Sequence, residues 1–188
     1  SMSKQLVSKL GTDFNYLESN AGGCPFALNI NLYTNNGNLH QICTSKYQSL
    51  WFQALSQNPS IILIGGRFTL YLSGKRIEKG DGGLKRDKLK SFRSENKTSF
   101  EEEFTNTIEL LISKGHKVVF VYPIPEVNVH VPKYIYKSIK GNKDILEVKS
   151  EFKPLTTSFE VYKERSTSTF ELFDSIKSSS IYRVYPHT

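Results

Sequence analysis

The apolar run Ile61 to Ile64 ends in Gly65-Gly66 and then Arg67, and it follows a turn signal at Asn58-Pro59. A short apolar run bounded in this way reads as a buried strand of a parallel sheet. A second such run, Lys117 to Tyr122, closes on Pro123-Ile124-Pro125-Glu126, where the prolines forbid helix and predict an extended loop. Two strands of this kind need helical crossovers between them, which confines the chain to an α/β architecture. In open α/β sheets, ligands bind beyond the carboxyl ends of the strands. The local pattern leaves two readings of Gly65-Gly66-Arg67: a tight turn with a surface arginine, or a place where backbone N–H groups and a guanidinium fork meet a ligand.

The intervening segments support the alternation. Leu6, Val7 and Leu10 share one face of a predicted helix over 3–10, stopped by Gly11, and Phe14 to Leu17 reads as a short strand. Tyr47, Leu50, Trp51, Ala54 and Leu55 predict a helix from Thr44 to Gln57. Thr98 followed by Glu101 predicts a capping box for a helix that ends near Lys114 at Gly115. Pro132 opens a predicted short helix, Lys133 to Ile139, and Phe159, Tyr162, Phe170, Phe173 and Ile176 mark another over Ser158 to Ile176. Ile181 to Tyr185 is the last predicted strand. The Asn-rich segment from Asn29 to Gln41 reads as a loop. So does Ser73 to Arg93, whose eight Lys/Arg against three Asp/Glu suggest either a solvated insertion or a basic lip over a site. A doubly wound fold normally begins with a strand, and here a helix comes first, so the first strand is missing from the pattern.

Length bounds the rest. The 188 residues suit a single domain over 1–188. The net charge of +7 favours an anionic partner without choosing among nucleic acid, acidic polysaccharide and a lipid surface. No recognition motif accompanies the basic loop, which argues against nucleic acid. No apolar run approaches a membrane span, and SMSKQLVSKL lacks the apolar core of a signal peptide, so a soluble chain is expected. Phosphate-loop, dinucleotide, zinc-protease and nucleophile-elbow motifs are absent from the sequence. The four histidines, His40, His116, His130 and His187, stand apart and suggest no triad. His116 follows a helix end, where a cation is favoured, and reads as a cap. Cys24 and Cys43 are too few for a zinc site and no metal is expected. Their spacing leaves open a disulfide or two buried thiols.

Taken in order, several landmarks resemble one family. They are Gly23-Cys24-Pro25-Phe26, Cys43, the strand Ile61 to Phe68 with its Arg67-Phe68 ending, Val118 to Glu126, and Ile181 to Pro186. The set resembles the SGNH-type hydrolase/acyltransferase domain fused to bacterial membrane acyltransferases that O-acetylate surface polysaccharides such as O-antigen. Phe68 stands where that family carries Trp. The resemblance implies a three-layer α/β/α, flavodoxin-like fold with a mainly parallel sheet. It implies a periplasmic address, a Cys24–Cys43 disulfide, a fused or associated membrane acyltransferase domain, and a surface glycan as acceptor. An acetyl donor is implied and no bound cofactor. Chemistry would run through an acyl-serine intermediate, with Gly23, Gly66 and Arg67 as candidates for oxyanion or substrate binding. A carbohydrate esterase and a non-catalytic glycan-binding or scaffolding domain are the alternatives on the same fold. The family's Gly-Asp-Ser and Asp-x-x-His blocks do not occur in the sequence. The family pattern would place them just before Ser1 and just after His187, which makes these residues the interior of the domain.

Overall fold

A computed structural model of the chain describes residues 17–18, 23–34, 36–73, 75–77, 84–86, 91–127, 136 and 156–186. The predicted helix over 3–10, all of the one over 133–139 except Tyr136, all of the 14–17 strand except Leu17, and His130 and His187 lie outside the described residues. The elements in order are β1 (Ile30–Tyr33), α1 (Ser45–Leu55), β2 (Ile61–Ile64), α2 (Phe68–Ser73), β3 (Lys75–Ile77), β4 (Leu84–Arg86), β5 (Ser91–Ser94), α3 (Phe100–Ser113), β6 (Lys117–Val121), α4 (Phe159–Ser175) and β7 (Ile181–Val184).

The expected α/β class holds. β2, β6 and β7 form a parallel three-stranded sheet with β6 in the middle. Its register aligns Ile62 with Val118 and Ile181, so one face is a continuous apolar row. Phe104, Ile108 and Leu111 of α3 and Leu172 and Phe173 of α4 pack into one core with Ile62, Ile64, Val118, Phe120 and Ile181. The opposite face differs from expectation. Ile61 is 61% and Leu63 57% exposed, and Tyr182 and Val184 are exposed beside them. A continuous apolar run does not reveal whether both faces are covered, and here the strand alternates in burial.

Two segments read as loops contain strands. β1 falls inside the Asn-rich stretch and pairs antiparallel with β5, which begins inside the basic stretch and ends one residue beyond it. β3 and β4 form a further antiparallel pair within that stretch. Polar residues survive in β1 because distant partners satisfy them: Asn31 Oδ1 accepts from Ser45 N, and Asn31 Nδ2 donates to Glu95 Oε1.

The cap of α3 is one residue later than predicted. Ser99 is the N-cap, and its hydroxyl accepts from Glu102 N at 3.1 Å. The Thr98 hydroxyl donates instead to Glu103. At the other end, Gly115 has φ +85°, and His116 N donates to Leu111 O while Gly115 N donates to Ile112 O. This closes the helix as a Schellman motif and turns His116 inward. His116 is 1% exposed, and its Nδ1 accepts from Ser60 N at 3.0 Å. Burial holds its pKa below the ordinary imidazole value, with Lys114 pushing the same way. It is a buried neutral tie between α3 and β2, and the reading of a cationic cap is corrected.

Cys24 and Cys43 are bonded. The bridge closes the segment that carries β1, and Gln48 Nε2 of α1 donates to Pro25 O at 2.9 Å beside it. Reduction is expected to lower the unfolding free energy by about 3 kcal/mol, because the unfolded chain regains the freedom of that loop. Urea melts with and without reductant read this directly; coincident midpoints would refute it.

Candidate active site

β2 delivers the chain to the carboxyl edge of the sheet. A Cβ on Gly65 would lie 3.2 Å from Val121 Cβ, so glycine is what lets β2 end against β6 at this height. Gly66 is different: a Cβ there would meet only the Phe68 and Tyr71 rings, at 3.8 Å or more. Packing within the described residues therefore does not require glycine at 66. Arg67 comes next. Its carbonyl accepts from Leu70 N and Tyr71 N, which fixes its backbone at the start of α2. Phe68 pins the same turn from below, 2% exposed among the rings of Phe104 and Phe173 at 5.1 and 4.9 Å. The Arg67 side chain stays half exposed and donates through Nε to Glu126 Oε1 at 2.8 Å.

Glu126 ends the proline-rich loop after β6, and that loop is clamped at three points, two from α4 and one from Thr157 just before it. Tyr162 donates its hydroxyl to Pro123 O at 2.7 Å, and Thr157 donates to Glu126 O at 2.6 Å. Arg165 Nη2 donates to Glu126 Oε2 at 2.6 Å. Burial pushes the Arg165 guanidinium below its ordinary pKa, the Glu126 carboxylate pulls it back up, and Arg67 adds to the downward push as a like charge. Arg67, Glu126 and Arg165 thus form one charged unit from three elements at the carboxyl edge. Sequence reasoning singled out only Arg67. Glu126 stood in the loop motif with no role, and Arg165, within Lys163-Glu164-Arg165, carried none.

Of the other predicted residues, Gly23 has φ +77° next to the disulfide. Among the described residues, no hydrogen bond ties it to Gly66 or Arg67. His40 Nδ1 accepts from Cys43 N at 3.1 Å and Ile42 N at 3.3 Å, so it shapes the disulfide loop rather than serving a nucleophile. No group of His, Cys, Asp and Glu able to hold a metal ion occurs among the described residues. The hollow lined by Ile61, Lys117, Val119 and Tyr182 lies on the open sheet face, away from the Arg67 turn.

What this edge can do is bind a polar or anionic group against guanidinium and backbone N–H donors. The family model described as SGNH domain (fused to AT3 domains) matches residues 3–188. No curated protein and no solved structure matches the chain.

Proposed function

The chain belongs to the family of SGNH domains fused to AT3 domains, that is, to acyltransferase-3 domains, and from this we propose that it serves an O-acyltransferase at the extracytoplasmic face of a bacterial membrane, moving acetyl groups onto cell-surface polysaccharide. The observation that carries the reading is Arg67, held by Glu126 at the carboxyl edge of the parallel sheet with half of its side-chain surface open. That edge is where an α/β fold of this kind places chemistry. The Cys24–Cys43 bridge supports an oxidising compartment.

The family's Gly-Asp-Ser and Asp-x-x-His blocks are not in these 188 residues, so we assign the chain the surroundings of the reaction rather than its nucleophile. A serine hydroxyl, giving its proton to a histidine that an aspartate orients, would attack the acetyl carbonyl of the donor, whose leaving group would depart with that proton and leave the acetyl on the serine. Backbone N–H groups at Gly66 and Gly23 would face the developing oxyanion, and Arg67 would hold the substrate beside it. A glycan hydroxyl then takes the acetyl from the serine; water taking it instead makes the same site an esterase.

The test uses a chain extended to carry both blocks, assayed on acetylated glycan, beside the 188-residue chain. Acetyl turnover and an acetylated serine are expected only in the former. Arg67→Ala is expected to lower kcat/KM there by about a hundredfold with an unchanged melting profile. Unaltered turnover would remove Arg67 from the site. The absent blocks favour one other reading, a glycan-binding domain without chemistry, and an extended chain that binds glycan without turnover would establish it.

A further inference from the structure

Two arginines share one carboxylate at the carboxyl edge, and one of them keeps a donor in reserve. The Arg165 side chain is only 7% exposed, and its Nη2 pairs with Glu126. Its Nη1 is buried and has no hydrogen-bond partner among the described residues. A buried charged donor without an acceptor is costly, by several times the net worth of an ordinary hydrogen bond. An apolar side chain at this position of α4 would avoid that cost, so the arginine is not explained by packing.

Both Glu126 oxygens are taken, Oε1 by Arg67 Nε and Oε2 by Arg165 Nη2. Two guanidinium groups and one carboxylate leave an excess of one positive charge, with the two cations paired to the two oxygens of the same carboxylate. Partial burial makes that charge count for more than it would in water. The place is also rigid. Thr157 and Tyr162 fix the Glu126 loop, and the Arg67 carbonyl fixes the start of α2. A site built on fixed elements binds with little ordering cost.

We propose that Arg67 and Arg165, bridged by Glu126, form a subsite for a compact oxyanion, a carboxylate or a phosphate, carried by the glycan on which the domain acts. This rests on the glycan-handling reading above and deepens it: the substrate is an acidic sugar. Guanidinium groups suit such a group because their N–H donors meet two oxygens at once. Glu126 is a positioning residue. It holds the two cations together and offsets part of their mutual repulsion.

The experiment is a titration of the 188-residue protein with glucuronate, glucose 6-phosphate and glucose at physiological salt, followed through the arginine side-chain NMR signals and by calorimetry. Saturable binding of at least one acidic sugar is expected, with shifts at Arg67 and Arg165 and none with glucose. A preference for glucuronate identifies a carboxylate as the natural group, and one for glucose 6-phosphate identifies a phosphate. Arg67→Ala, at a half-exposed position that leaves the core untouched, is expected to weaken binding by about tenfold or more. Arg165→Lys keeps the charge and loses the fork, and it should weaken binding similarly while the fold persists. Equal responses to glucose and the acidic sugars, no saturable binding of either acidic sugar, or binding that Arg67→Ala leaves intact would each overturn the proposal. The measurement involves no acyl transfer, so its failure leaves the acyltransferase reading standing, and failure of turnover leaves this one standing.

Discussion

Phe68→Ala is expected to lower the unfolding free energy by about 3–5 kcal/mol, the cost of emptying a well-packed aromatic site. Phe68 is 2% exposed and lies between layers. Its ring contacts Phe104 at 5.1 Å and Phe173 at 4.9 Å edge to face, and Tyr71 at 5.6 Å. The first two belong to α3 and α4, the helices that cover the sheet, and Phe173 in turn stacks on Phe120 of β6 at 4.5 Å. These partners cannot all move into the vacated volume without leaving one another. For a domain whose total stability is on the order of 10 kcal/mol, that loss is a large fraction. Urea unfolding of Phe68→Ala beside the parent chain measures it. A loss under about 1 kcal/mol would mean that the core closes over the cavity, and the assignment of Phe68 as the pin under the Arg67 turn would fall.

The parts of the fold that were legible in the sequence are those whose signal is local. β2 and β6 announce themselves as apolar runs between turn residues, and α3 and α4 repeat their aromatics at helical spacing. β1 and β5 carry no such signal. Asn31 in β1 is buried because Ser45 and Glu95 complete its hydrogen bonds, and neither partner is near it in sequence. β5 reads Ser-Phe-Arg-Ser, and its register with β1 is settled by long-range pairing rather than by pattern. The site divides in the same way. Arg67 is visible because it ends a strand, at a place where α/β folds bind ligands. Arg165 is hidden because its burial depends on Glu126, 39 residues earlier, reaching it across the carboxyl edge. A charged residue in a charged run declares its role only when its partner in space is known.

The same dependence on distant partners makes Glu103 the second position of large expected effect. It is an acid on α3 that is 1% exposed and receives four donors: Asn29 Nδ2, Ser94 Oγ, Asn96 Nδ2 and Thr98 Oγ1. These come from the approach to β1, the end of β5 and the turn into α3, so one carboxylate joins the small antiparallel sheet to the core helix. Glu103→Ala leaves several of those donors without an acceptor and is expected to cost about 3 kcal/mol near neutral pH. Burial alone would raise the pKa of Glu103, but the four hydrogen bonds outweigh it and hold the carboxyl below its ordinary value of 4.5. A folded-state pKa below the unfolded one gives stability that is present above the unfolded value and is lost as the pH falls through the folded one. His116 follows the same sign at a higher pH. Its folded pKa is below the ordinary 6.5, so its contribution begins to fade once the pH drops beneath that value. The parent chain should therefore lose stability in two stages on acidification, the histidine first and the carboxylate after it. In Glu103→Ala the first stage should persist and the second should shrink. Urea midpoints measured for both chains from about pH 7 down to about pH 3 decide the matter. Parallel curves through the carboxylate range would show that Glu103 is not held ionised by the four donors, and its place as the joint between the small antiparallel sheet and α3 would have to be given up.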